Sequence, residues 1–298
     1  MHTHTLVRPL VRVVSVAAAV LTFGHPPLVL AQATANPSQT TAASQAPAAA
    51  AADDEGELQL AEPDFRVVNL PSTLRLPQWK SNFQLTHRFN GNLKRGSFSE
   101  QASNLFGLDQ GAVVGFEYRI GIMRHVQAAV YRTAVDKTFQ FYGKFDALHQ
   151  NASMPVSVSG LVSIEGVDNF QDRFTPSLMA IVSRRFGDRV AVYAEPAWVH
   201  LAQLDLLEPE AADILVFGIG GRVRIWKAVS AAAEFSPRAG DEPIGTSHAA
   251  FAIEKQLGGH VFQLNVSTTQ ATTMGQIARG GAADRDWSLG FNISRKFF

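Results

Sequence analysis

Nine histidines are the first residues in this 298-residue chain that could do chemistry. His2, His4 and His25 lie in the leading segment. The remaining six, His87, His125, His149, His200, His248 and His260, show no HxH, HxxH or HExxH spacing, so no pair is set to share a metal ion. They read as isolated polar or interfacial groups, and no metal is expected. A Ser–His nucleophile fares no better. Ser247 and His248 are adjacent, so on a strand they point to opposite faces, and no triad can be assembled around them. Gly218-Ile-Gly-Gly221 falls within an apolar alternating run, where glycines serve bending and close packing and do not cradle a phosphate. The chain has no cysteine, which removes disulfides, thiol nucleophiles and thiolate metal sites. Neither an enzyme nor a cofactor is expected.

What remains is a set of charged residues at alternating positions of apolar runs. Arg88, Glu117, Arg119, Lys144, Glu195, Arg222, Arg224, Glu234 and Glu254 fall out of phase with their large apolar neighbours. Their signs nearly balance, which fits either a narrow pore with selective charges or a tube closed by mutual ion pairs.

The elements that would position these charges are strands. Val114, Phe116, Tyr118 and Ile120 alternate with Gly115, Glu117 and Arg119; Phe139, Phe141 and Phe145 alternate with Gln140, Tyr142 and Lys144. Leu215, Phe217, Ile219, Val223 and Ile225 oppose Gly218, Gly220, Arg222 and Arg224. Similar runs recur to the last stretch, where Trp287, Leu289, Phe291, Ile293 and Phe297 share one face and the sequence closes on Phe297-Phe298. About twelve such strands fit between residues 81 and 298. Every second connection is expected to be short, as in Phe186–Arg189 and Leu257–Gly259, with longer ones between, such as Asn90–Gly111 and Glu165–Phe174. That alternation, and the absence of a later apolar run long enough for a spanning helix, predict an all-β, antiparallel transmembrane β-barrel.

The N-terminal third supplies address and tether. Arg8 and Arg12 precede the apolar run Val13–Phe23, and small residues follow at Ala31-Gln32-Ala33, the pattern of a signal peptide over 1–33. Residues 34–62 are rich in Ala, Gln, Ser, Thr and Pro and end with an acidic run, a composition expected to stay disordered. Residues 63–80 carry Pro71 and Pro77, which push the preceding residues towards extended geometry. They read as an extended periplasmic arm, docked outside or lodged in the barrel mouth. A formal net charge of +0 gives no basic footprint for nucleic acid.

Asn69–Pro77, Leu85–Phe89, Asn104–Asp109 and Tyr131–Phe139 resemble a family of membrane-bound β-barrel domains of unknown function, the DUF5777 type. Tyr142–Phe145, Gln150 and Pro155–Val158 continue the likeness; Ala134 departs from the small polar residues that the family carries after the position of Arg132. The resemblance implies the architecture and no activity. The expected location is the bacterial outer membrane, with outer-membrane lipid and, through Phe297 and Phe298, the barrel-assembly machinery as partners. The expected function is passive passage or binding of a small polar or amphipathic solute. A non-conducting barrel that anchors a periplasmic protein is the alternative, and a lipid-modifying outer-membrane enzyme a more distant one.

Overall fold

A computed structural model describes residues 61–201, 212–240, 245–281 and 286–298. The signal peptide and almost all of the tether expected from the sequence lie outside these residues. The described chain is one antiparallel sheet closed on itself. Its strands are β1 (Ser81–Phe89), β2 (Ala112–Met123), β3 (Val126–Thr133), β4 (Phe139–Leu148), β5 (Ser157–Gly166), β6 (Asp172–Phe186), β7 (Val190–Leu201), β8 (Ala212–Trp226), β9 (Val229–Ser236), β10 (Arg238–Gly240), β11 (His248–Leu257), β12 (His260–Ser267) and β13 (Ser288–Phe297). The three-residue β10 continues β9 beyond Pro237 and stays paired with β8, so the wall has the twelve strands expected. Closure comes from β1 against β13, with Ser81 opposite Phe297 and Arg88 opposite Gly290.

The side-chain period of two then decides everything about the wall. Asn82, Gln84, Thr86 and Arg88 of β1 are buried inside, as are Ser288, Asn292, Ser294 and Lys296 of β13. The facing register, with Phe116, Phe141, Phe145, Leu178, Phe217, Ile219, Phe251 and Leu264, is exposed on the outside. Polar in and apolar out is the inverse of a soluble barrel, and it is the arrangement that lipid requires. No described helix is long and apolar enough to cross a membrane; the strands do so. The short turns, such as those at Gly187–Arg189 and Lys227–Ala228, gather at the end where β13 terminates, the periplasmic end of such barrels. At the other end one expected long connection shrinks. Half of residues 165–174 are strand, leaving only 167–171 between β5 and β6.

Of the two placements open for residues 63–80, docked outside or lodged in the barrel mouth, the structure shows the second, and as a hairpin in place of an extended periplasmic arm. The chain enters the barrel from the short-turn end, reverses at Val67–Leu70 and returns to β1, a hairpin closed by Val67 N–H donating to Leu70 O (2.7 Å) and Ser72 N–H donating to Phe65 O (2.8 Å). The boundary also shifts, because Ala61 and Glu62 are already buried. Pro71 and Pro77 enforce local extension, as the sequence indicates, but a β-turn between the two legs was not visible in a stretch free of Gly.

Candidate functional site

The inward charges meet the hairpin, and three of them, Lys144, Arg222 and Glu234, bond its backbone. Backbone N–H and C=O groups buried in the lumen need partners. Lys144 Nζ donates to Ser72 O (3.0 Å) and Leu74 O (2.8 Å), and Gln127 Nε2 donates to Leu74 O (3.0 Å). Arg222 donates to Arg66 O (2.7 Å), Gln263 to Val67 O (2.7 Å) and Asn292 to Val68 O (2.9 Å). Side chains of the hairpin join in: Arg66 pairs with Glu117, Arg88 donates to Asn69 Oδ1 (2.8 Å), and Tyr193 donates to Glu62 (2.9 Å). Phe65 sits between two cations, with the Arg119 guanidinium 4.6 Å and Lys296 Nζ 5.5 Å from its ring centroid.

The tip of the hairpin is held by one carboxylate. Glu234 accepts from three consecutive backbone N–H groups, those of Val68 (2.9 Å), Asn69 (2.9 Å) and Leu70 (3.1 Å). Successive N–H groups converging on an anion form the concave nest that proteins use for charged ligands; here the anion is the protein's own. His248 Nε2 lies 2.9 Å from Glu234 Oε1, and its Nδ1 lies 2.9 Å from Thr269 Oγ1 on the β12–β13 connection. The apolar side of the tip is seated on β8. A Cβ added at Gly218 would lie 3.0 Å from Leu70 Cδ2, and one at Gly220 3.4 Å from Val67 Cγ2. The close packing expected of Gly218-Ile-Gly-Gly221 is therefore with the hairpin.

A second insertion comes from the long-loop end. The β12–β13 connection folds into the lumen and carries a short helix, Met274–Arg279, capped by Thr273 Oγ1 accepting from Gln276 N–H (3.3 Å). Met274, Ile277 and Ala278 are buried against the wall, and Arg279 pairs with Glu165 (3.2 Å). The two insertions touch where Arg66 Nη1 donates to Thr272 O (2.9 Å), and the void beside that contact measures about 30 Å³. That is room for about one water. Outside it, towards the long loops, lies a cavity of about 420 Å³ bordered by Asn90, Asn92, Asp136, Thr269, Arg279 and Asp286 among others.

Of the residues singled out from sequence, Arg88, Glu117, Arg119, Lys144, Glu195, Arg222, Glu234 and Glu254 are all buried on the inner face. Their pairing is specific: Arg119 with Glu117 (2.7 Å), Lys144 with Asp146 (3.0 Å), and Arg222 with Glu254. Arg222 therefore pairs with neither Glu234 nor Glu195. Arg224 stands at the short-turn rim, outside the closed network, ion-paired with Asp188 of the β6–β7 turn. Glu195 joins no pair either; neither of its carboxyl oxygens has a hydrogen-bond partner among the described residues. His248, read as an isolated group, is instead fully buried against Glu234. Arg66, Asn69 and Asp146 were missed. Asp146 follows Phe145, the last alternating apolar residue of its run, yet lies within β4; the other two belong to the hairpin, whose position no periodicity announces. Among the described residues no group of three His, Asp or Glu side chains could hold a metal ion.

Fold and site together define a lipid-embedded barrel whose lumen is occupied by its own chain from both ends. The chain belongs to the family described as membrane-bound β-barrel domain DUF5777, whose profile matches residues 63–297, the hairpin included. It is a barrel of the bacterial outer membrane. Among solved structures it is similar to the NanC porin (9% identity, TM-score 0.48, covering 73% of this chain and 99% of that one). It is also similar to the KdgM porin (9%, 0.43, 74% and 99%) and to the Acinetobacter baumannii outer membrane protein Omp33 (7%, 0.39, 74% and 99%). No curated protein has a significantly matching sequence.

Proposed function

We propose that this barrel is a non-enzymatic passage or binding tube for a small polar solute, shut at rest by the hairpin of residues 61–77. The observation that carries this reading is how the hairpin is held. Its backbone is bonded by charged and amide side chains of the wall, and those side chains would remain well solvated if water replaced the hairpin. A permanent filling has no need of them, because buried ion pairs are often no more stabilising than apolar side chains of equal volume. A polar wall is what a lumen needs if it is to be wetted in another state. The porin-like neighbours are consistent in architecture.

Planar-bilayer recording tests the proposal. The intact protein should show little conductance, and a variant lacking residues 61–77 should conduct while keeping the heat-dependent gel mobility of a closed barrel. A second reading, a scaffold for a periplasmic protein, is favoured by the same full occupancy of the lumen. A folded but non-conducting hairpin-deleted variant would leave that reading standing and remove the channel.

A further inference from the structure

The outer face of the wall is charged unevenly at its two ends. At the short-turn end, the lipid-facing registers of β6, β11 and β13 carry Arg184, Lys255 and Arg295, all exposed. Each comes two residues before an exposed apolar side chain, Phe186, Leu257 or Phe297. The guanidinium groups of Arg184 and Arg295 lie 5.2 Å from the ring centroids of Phe186 and Phe297. The adjoining turns add Arg189 and Lys227, the latter 5.9 Å from the Trp226 ring centroid. Strands β6, β7, β8, β9, β11, β12 and β13 are consecutive neighbours in the closed sheet, so these side chains form one continuous arc. Among the described residues the acid on this rim is Asp188, whose hydrogen bond from Arg224 holds its carboxyl below the usual range and commits it to that pair. At the opposite end the outward register is mixed, with Arg132, Asp172 and Asp213, the last paired with His200 (2.8 Å).

We infer that the arc is a docking surface for the phosphate headgroups of anionic phospholipids in the leaflet facing the periplasm. Long basic side chains lay their stems along apolar surface and lift their charge to the headgroup level, and aromatic rings mark that level. The arc does both, on the face of the wall that only lipid meets. A water-borne acidic partner would be met at the mouth, where Arg185 and Arg224 already pair with Glu62 and Asp188. Attraction of basic side chains to anionic headgroups is additive and local, so several together select one lipid class from a mixture. The inference holds whether or not the lumen conducts.

Native mass spectrometry of the full chain, extracted from vesicles of equal phosphatidylglycerol and phosphatidylethanolamine, tests it. The protein should retain phosphatidylglycerol severalfold over its neutral counterpart. The combined R184Q, K255Q and R295Q variant should lose the preference, while R132Q at the other rim should keep it. If the triple variant fails to fold, the single variants and a salt titration replace it, since screening must erode a headgroup attraction. Equal retention of both lipids by the intact protein, an undiminished preference in the variants, or a preference indifferent to salt would each overturn the inference.

Discussion

Two pieces of the same chain fill this barrel, and they differ in how much of their backbone the polar wall bonds. The hairpin from the short-turn end makes polar contacts along both legs: Glu234, Lys144, Gln127, Arg222, Gln263 and Asn292 all bond its backbone. The connection from the long-loop end buries Met274, Ile277 and Ala278, pairs Arg279 with Glu165, and takes fewer bonds from the wall, among them Arg238 Nη1 to Ala278 O (2.9 Å) and His248 Nδ1 with Thr269 Oγ1 (2.9 Å); Phe65, Val67, Leu70 and Leu74 of the hairpin are buried as well. Apolar burial is non-directional and is lost whenever water enters. Bonds to a polar wall are exchanged for bonds to water at small net cost each. With the larger share of backbone bonds to the wall, the hairpin is the piece that water replaces more readily.

Deleting residues 61–77 should test that contrast most severely, turning a closed barrel into a conducting one. Deleting the helix Met274–Arg279 should leave conductance low and lower the unfolding temperature instead. Recordings in which the helix deletion conducts and the hairpin deletion does not would invert the comparison. Glu234→Ala comes next. It strands three backbone N–H groups, each at about 1–3 kcal/mol if left unmet, so the hairpin should become accessible to protease while the barrel keeps its mobility on unboiled gels. Ile277→Ala should cost about 2–5 kcal/mol as a buried large-to-small change, read as a lower unfolding temperature with hairpin protection intact. Gly218→Ala should loosen only the tip, because its Cβ would crowd Leu70 at 3.0 Å; such overpacking costs about 1–3 kcal/mol. Arg224→Gln should change least, about 0–1 kcal/mol, since its partner Asp188 is exposed. A large loss there would mean the rim pair belongs to the lumen network after all.

The wall was legible in the sequence and its contents were not, for one physical reason. Alternation is imposed residue by residue by lipid on one side and polar surroundings on the other. Glu117, Lys144 and Arg222 could therefore be assigned to the inner face without any knowledge of their neighbours. Which charge meets which depends on register and on what lies between the walls. Arg222 was free to meet Glu234 or Glu254 on sequence grounds; it lies opposite Ala232 of β9 and pairs with Glu254 from the strand beyond, while Glu234 is taken by the hairpin. The hairpin is not periodic at all. Two prolines gave its legs, but its turn at Val67–Leu70 is stabilised by Glu234 from a strand more than 160 residues away. Asp146 is hidden for a smaller reason: the apolar alternation that marks β4 stops at Phe145, while the strand runs on to Leu148.

Both legs of the hairpin leave the lumen through the same mouth, one of them running straight into β1. This gives the plug a mechanical direction. A pull on the chain ahead of residue 61 does not shear all the wall contacts together. It peels the first leg away residue by residue, from Glu62 to Arg66, before the load reaches the tip, and the second leg follows from the tip backwards. Contacts broken in series yield at the force of the weakest pair in turn, whereas contacts loaded in parallel resist as their sum. Load from the other end, along β1, would act on the ladder between β1 and β13 that closes the wall. The molecule is compliant to a tug on its N-terminal side and stiff to one on its wall.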